Sequence, residues 1–187
     1  MGKAKLKILE LEVPMDSFSV YHDDGFVEDA IEHCTRLDRK YGLREGRIRM
    51  RAAELRLLKI KHAGIGGCYD RYEKGCEDHH HIWYFDTGFD PNNIRVRAHE
   101  ETHALDGLGG LRLLEQRIFE EHGLNLDLSS YIDRRNDERV IGRVGEEMVA
   151  DLGSVYALLK YGFDPREILE DGLKREGFEK ALKIYGG

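Results

Sequence analysis

The sequence has few prolines, few cysteines and no long hydrophobic run. Three prolines and three cysteines occur in 187 residues, so neither a proline-rich linker nor an even disulfide framework is indicated. No apolar run approaches the length that a membrane-spanning helix requires. The first thirteen residues alternate charged with apolar side chains, unlike the apolar block of a signal peptide. We therefore predict a soluble cytoplasmic protein that does not bind a membrane.

Positive charge is also in short supply. The chain has 29 Lys and Arg against 36 Asp and Glu, a net charge of −7 with neutral histidines. This acidic balance argues against a dedicated nucleic-acid surface. A chain of this length can bury an adequate core without a disulfide or a structural metal. One domain over residues 1–187 is the simplest expectation.

Hydrophobic periodicity predicts strands in the first half of the chain. Alternating apolar residues indicate a strand over 5–13, whereas 26–41 has the apolar spacing of a helix. Two strands are expected within 46–63, a polar loop over 68–76, and β-structure over 81–86 because its residues are mostly aromatic or β-branched.

The second half carries helix signals instead. Asp90 and Pro91 predict the start of a helix that runs to about Leu108, where glycines interrupt it. Further helices are expected over 111–122, over 138–161, from Pro165, and up to Tyr185. Strands followed by helices predict an α+β fold.

The first of these helices contains an HExxH pattern, His99-Glu100-Glu101-Thr102-His103. At about 100° per residue, the two histidines lie about 40° apart on one helix face, so both imidazoles can bind one ion. Glu100 lies beside them, where it could accept a proton from a metal-activated water. Zn²⁺ suits this arrangement because it binds neutral imidazole and keeps an open fourth position. The pattern arises by chance in roughly 5% of such sequences, so a third ligand is required.

A later helix offers that third ligand in the segment GEEMVAD, residues 145–151. Glu147 lies about 100° from the centre of the expected apolar stripe and Glu146 about 160°, so only Glu147 can turn toward an internal metal. Asp151, one turn later, is placed to hold a ligand imidazole. Alternatively, these acids form the solvated flank of an amphipathic helix. The stripe itself consists of Val144, Met148, Leu152, Val155 and Leu159.

Two segments, HEETHAL at 99–105 and EMVADLGSVYALLKYGFDP at 147–165, resemble the gluzincin metallopeptidases and most closely the HtpX-type family. The resemblance implies a zincin-like fold with a small N-terminal sheet, a helix packed on it and an active-site helix over 1–110. A helical part over 111–187 then carries the third ligand. It also implies that an edge strand, 68–72 or 82–85, pairs with extended peptide.

Carried onto this sequence, the resemblance implies zinc bound by His99, His103 and Glu147, with Glu100 as general base and Asp151 orienting a ligand histidine. The family prefers uncharged residues around the histidines, whereas Arg97 and Glu101 are charged here. Both lie opposite His99, so we expect a solvated ion pair on an exposed back of the helix.

Several further residues stay open as candidates. Asp106 could support a ligand or be an alternative oxygen ligand. Cys68 and Cys76 with His79, His80 and His81 could form a second zinc site or cap the catalytic zinc, but a surface histidine run beside an optional disulfide is preferred. Candidate oxyanion donors are Tyr131, Arg139, Arg143 and Tyr156.

The expected function is that of a soluble zinc metallopeptidase that hydrolyses peptide bonds in a peptide or protein substrate. The alternative is a non-catalytic, metal-binding regulatory or interaction protein on the same scaffold. The sequence indicates neither an oligomeric state nor a cleavage preference.

Overall fold

The computed structural model describes residues 3–14, 18–21, 32, 35–36, 39–40, 42, 44–50, 52–53, 67–72, 79–84, 89–132, 141–170 and 176–186. Contacts between residues divide the chain into two compact units. Unit 1 contains Met1–Asp16 and Gly88–Gly187, and unit 2 contains Ser17–Thr87. The contacts therefore group the HExxH helix with the helical half and the first sixteen residues, whereas the sequence predicted a boundary near residue 110.

The first element of unit 1 is a short hairpin of β1 (Lys3–Lys5) and β2 (Glu12–Pro14), which pair antiparallel. The single strand predicted over 5–13 is therefore wrong. The chain reverses because Leu6 N donates a 2.9 Å hydrogen bond to Leu11 O and because Glu10 adopts a left-handed φ of 56°. The apolar residues of this segment are buried in a turn rather than along one strand face, namely Leu6, Ile8, Leu9, Leu11 and Val13.

Unit 2 contains a three-stranded sheet of β3 (Phe18–Tyr21), β4 (Gly67–Tyr72) and β5 (His79–Tyr84). The strand order is β3-β5-β4, with β3 parallel and β4 antiparallel to β5. The loop predicted over 68–76 is wrong for 68–72, because these residues form most of β4. Of the two proposed edge strands, 68–72 lies at an edge of this sheet. Residues 82–84 belong to its central strand, so that expectation is wrong.

The described residues between β3 and β4 are mainly helical, including 45–50 and 52–53. The strands expected within 46–63 are therefore wrong where the structure describes this range. Ile48 is buried, but Met50, two positions later, is 62% exposed. The alternation of apolar residues with arginine thus did not mark a strand with one buried face.

Five helices form the rest of the described part of unit 1: α1 (Pro91–Gly107), α2 (Leu111–His122), α3 (Ile141–Lys160), α4 (Pro165–Glu170) and α5 (Glu176–Ile184). A 3-10 turn spans Leu128–Tyr131. Asp90 caps α1 by accepting a 3.0 Å hydrogen bond from Asn93 N. Gly123 ends α2 in a left-handed conformation, which glycine adopts without steric cost. The predicted helix starts and stops are confirmed here.

The helix α3 lies at the centre of unit 1 and packs against α1 and α5, with contacts to α4 and the 3-10 turn. Every residue from Val149 to Leu158 is buried. The narrow apolar stripe predicted for this helix is therefore too narrow, because α3 is covered on several sides. The largest buried side chains of this core are Leu6, Leu9, Ile94, Leu105, Leu114, Ile118, Leu128, Tyr156 and Phe178.

Most of the described residues are helical, and the described strands are short. Of the helices that the structure describes, none has both the length and the apolar character needed to cross a membrane.

Candidate metal centre

The helix α1 brings the two HExxH histidines together on one face, as the helical spacing predicts. The Nε2 atoms of His99 and His103 lie 3.1 Å apart. Their rings meet edge to face, with centroids separated by 4.7 Å. Both imidazoles therefore direct a ring nitrogen toward the same point.

The helix α3 adds Glu147 to this pair. One carboxylate oxygen, Oε2, lies 3.2 Å from Nε2 of His99, and the other, Oε1, lies 3.5 Å from Nε2 of His103. Ligand atoms at the usual zinc distances of about 2.0–2.1 Å in a tetrahedron lie about 3.3–3.4 Å from one another. The spacings between these donor atoms therefore fit a single small cation.

The chemistry of the donors fits a metal ion as well. Two imidazoles and one carboxylate are a known ligand set for catalytic zinc, which leaves the fourth position for water or substrate. Imidazole also suits copper, iron and nickel, so the donor types select a transition metal rather than calcium or magnesium. His99, His103 and Glu147 could hold such an ion.

Asp151 supports this group from beneath. Its Oδ1 atom lies 3.0 Å from Nδ1 of His99, and its side chain is 1% exposed. A carboxylate that accepts the Nδ1 proton fixes the tautomer and directs the Nε2 lone pair toward Glu147 and His103. This contact matches the position predicted for Asp151. Asp106, the other predicted support, is half-buried and lies outside the donor group.

The charges of the group shift two pKa values in opposite directions. Burial lowers the pKa of His99, but its contacts with Asp151 and Glu147 outweigh burial and raise that pKa to about 9. Hydrogen bonds from His103 and His99 hold the pKa of the Glu147 carboxyl well below its usual range. In the metal-free chain, His99 is therefore the cation that compensates two neighbouring carboxylates at neutral pH.

Exposure to solvent increases across the group. The side chain of His99 is 7% exposed, that of His103 17% and that of Glu147 49%. The group is thus closed at Asp151 and open at Glu147, which is the side from which a substrate can enter. Glu100 is half-buried, and its charge lies close enough to His99 to favour the imidazolium form.

The back of α1 is buried, contrary to the prediction. Arg97 is 8% exposed and Glu101 1% exposed, so the expected solvated ion pair is wrong. The Glu101 carboxylate accepts backbone hydrogen bonds of 2.8–3.0 Å from Lys7, Ile8 and Leu9. Three successive N–H groups thus converge on one buried carboxylate, which stabilises its charge.

The same N-terminal turn also contacts the end of α3. Lys160 Nζ lies 2.9 Å from Glu10 Oε2, and the Tyr161 hydroxyl donates a 3.1 Å hydrogen bond to Ile8 O. The turn therefore connects the helix that carries both histidines with the helix that carries Glu147. Sequence reasoning missed this role because the contacts join residues about ninety to one hundred and fifty positions apart.

The two helices themselves approach closely at Gly153. A Cβ atom there would collide with Oγ1 of Thr102 and lie 3.0 Å from Thr102 Cβ. One residue later, the buried Ser154 hydroxyl donates a 2.9 Å hydrogen bond to Arg95 O. The signal for this close approach was present in the sequence, as small residues at helical spacing in α3: Ala150, Gly153, Ser154 and Ala157.

The other predicted residues do not join the group. The Tyr156 hydroxyl donates a 3.0 Å hydrogen bond to Glu121 and lies about 13 Å along α3 from Glu147. Tyr131 is 36% exposed in the 3-10 turn. The remaining candidates have side chains outside the described part of the chain: Arg139, Arg143, Cys68, Cys76, His79, His80 and His81.

Comparisons with known proteins add no relative to these observations. The chain matches no protein-family profile, no curated protein and no solved structure. The functional conclusion therefore rests on the donor group and on the residues that surround it.

Proposed function

We propose that this protein is a zinc-dependent metallopeptidase of the gluzincin type, with a zincin-like fold, that cleaves a peptide or protein substrate. The observation that supports the proposal is the convergence of His99, His103 and Glu147, with donor atoms 3.1–3.5 Å apart. The buried Asp151 behind His99 adds to it, because structural support of this kind is common to catalytic metal sites.

In this proposal, the two histidines and Glu147 hold zinc, which when bound supplies a Lewis acid that lowers the pKa of water and polarises a carbonyl. Glu100 follows His99 on α1 and carries a carboxylate that can accept a proton from water and deliver it to the leaving amine. Asp151 keeps a proton on Nδ1 of His99, so that Nε2 stays available as a ligand.

The proposal is tested by metal content and by cleavage of a fluorogenic peptide library. The purified protein is expected to hold about one zinc per chain, and Glu147→Gln to lose it. Glu100→Gln is expected to keep zinc but to cleave about 10²–10⁴-fold more slowly, because general-base catalysis contributes on that order. Glu146→Gln is the matched control, because this neighbouring acid lies outside the donor group.

Two results would contradict the proposal. A chain without zinc after purification and reconstitution would show that the donor group does not bind it. A chain that keeps zinc but shows no cleavage that depends on Glu100 would favour the alternative, a metal-binding regulatory or interaction protein.

A further inference from the structure

The first turn of α5 lies directly against the support of the metal centre. Gly177 is the second residue of this helix. A Cβ atom at Gly177 would lie 2.6 Å from Oδ2 of Asp151 and 3.4 Å from Cα of Met148. A separation of 2.6 Å is shorter than any normal contact of a Cβ atom, so a side chain here would displace the carboxylate.

The displaced atom belongs to a side chain with a defined task. Asp151 is 1% exposed and directs Oδ1 to Nδ1 of His99 at 3.0 Å. Its two oxygens therefore face two different neighbours, a ligand imidazole on α1 and the backbone of α5. A carboxylate confined in this way cannot rotate about its χ angles without losing one of the two contacts.

Backbone conformation does not explain the glycine. Gly177 lies outside the left-handed region in which the structure places Gly123 and Gly162, so alanine can adopt its backbone conformation. What glycine provides at this position is the space that the Asp151 carboxylate occupies.

We propose that Gly177 is a positioning residue of the metal centre. By leaving room for Asp151, it lets α5 close against the carboxylate and fixes that carboxylate on His99. The inference rests on the metal centre of the proposed function and extends it to the C-terminal helix, which contributes none of the three ligands. The metal affinity of the chain then depends on the docking of α5.

A purely structural role for Gly177 makes a different prediction. If the glycine only allows α5 to pack, Gly177→Ala destabilises the metal-free chain. If it positions Asp151, the chain accommodates the methyl group by moving the end of one side chain. The unfolding midpoint of the metal-free chain then stays the same or rises, because alanine favours the helix more than glycine does.

The test measures zinc affinity by competition with a chromophoric chelator, together with the visible spectrum of the Co²⁺-substituted protein. Gly177→Ala is expected to bind zinc about 10–100-fold more weakly, as is typical when the support of a ligand histidine is disturbed. The d–d bands of Co²⁺ are expected to change. Gly46→Ala is the matched control, because a Cβ atom at Gly46 meets nothing within 4 Å.

The coupling to Asp151 is tested in a double-mutant cycle. In an Asp151→Ala background, Gly177→Ala is expected to cause no further loss of zinc affinity, because the carboxylate that it displaces is gone. An equal loss in both backgrounds would overturn the inference. So would wild-type affinity in the single variant, or a fall in the metal-free midpoint that accounts for the lost affinity.

The single variant decides the question even if Asp151→Ala does not fold. Weaker zinc binding with an unchanged metal-free midpoint supports the inference, and unchanged zinc binding overturns it while leaving the proposed function intact. A wild-type chain that binds no metal overturns both. A wild-type chain that binds metal without cleavage overturns only the peptidase proposal.

Discussion

At the scale of single residues, the behaviour of His99 depends on whether a metal is bound. Asp151 contacts one ring nitrogen and Glu147 the other. Without a metal, both carboxylates stabilise the imidazolium cation. With a metal, Nε2 must lose its proton, because only neutral imidazole is a ligand. One side chain therefore links protonation, stability and metal binding.

The stability of the metal-free chain is expected to fall as pH rises from neutral. The pKa of His99 is about 9 in the folded chain against 6.5 as the reference. A raised pKa stabilises fully below pH 6.5, and this contribution, on the order of 3 kcal/mol, is lost as pH rises through 9. For Glu147, whose pKa is lowered, the stabilisation is lost instead as pH falls below about 4.5. Urea unfolding in the presence of a chelator measures both trends.

Saturating zinc provides the control for this pH dependence. Zinc affinity is expected to increase between pH 6.5 and 9, because less proton must be displaced, so the loaded chain should not lose stability over this range. Asp151→Asn should flatten the metal-free profile. A metal-free chain with the same stability at pH 6.5 and pH 9 would contradict the assignment of the cation to His99.

At the scale of elements, the N-terminal turn is expected to stabilise α1 through Glu101. Glu101→Gln removes the charge and replaces one acceptor oxygen by an NH₂ group that faces backbone donors. We expect a loss of about 2–4 kcal/mol in the free energy of unfolding, since hydrogen bonds to a buried charged group are strong. Chemical denaturation gives this value.

The matched control for Glu101 lies on α5. Glu179 is exposed, so Glu179→Gln should change the free energy of unfolding by less than about 0.5 kcal/mol. If both variants unfold at the same denaturant concentration, the contacts between Glu101 and the turn contribute no net stability.

The interface between α1 and α3 is expected to tolerate no side chain at Gly153. Gly153→Ala drives a methyl group into Thr102, and overpacking of this kind costs about 1–3 kcal/mol. Because α1 carries the histidines and α3 carries Glu147, moving the helices apart should also weaken zinc binding. Thermal unfolding and chelator competition measure the two effects.

A second substitution tests this cause. Thr102→Ala removes the hydroxyl with which the new methyl group collides. The double variant should therefore regain part of both the stability and the zinc affinity that Gly153→Ala loses. No recovery would show that the loss comes from α3 alone.

The elements that sequence could predict are those determined by near neighbours. The phase of α1 follows from helix geometry, so the pairing of His99 with His103 was predictable, and the Asp90–Pro91 start is a local capping signal. The burial of Glu101 was not, because its partners, the backbone groups of residues 7–9, offer no side-chain pattern. The turn itself was mistaken for a strand, because the apolar alternation of residues 5–13 fits both until Glu101 is placed.

At the scale of the whole molecule, the candidate metal centre belongs to one compact unit. All three donors and Asp151 lie on α1 and α3, within the unit formed by Met1–Asp16 and Gly88–Gly187. The sheet of β3, β4 and β5 lies in the other unit. A ligand that binds only the folded state stabilises the part of the chain whose folding creates its site.

Removal of the metal is therefore expected to act unevenly on the molecule. At a free zinc concentration 100 times Kd, binding stabilises the site by about 2.7 kcal/mol. Hydrogen exchange followed by mass spectrometry should show faster exchange in 91–107 and 141–160 after chelation, with little change in 67–72 and 79–84. Glu147→Gln should show no response to the chelator. Equal acceleration in both units would contradict this expectation and would show instead that they open as one cooperative unit, in agreement with the single domain that the sequence predicted.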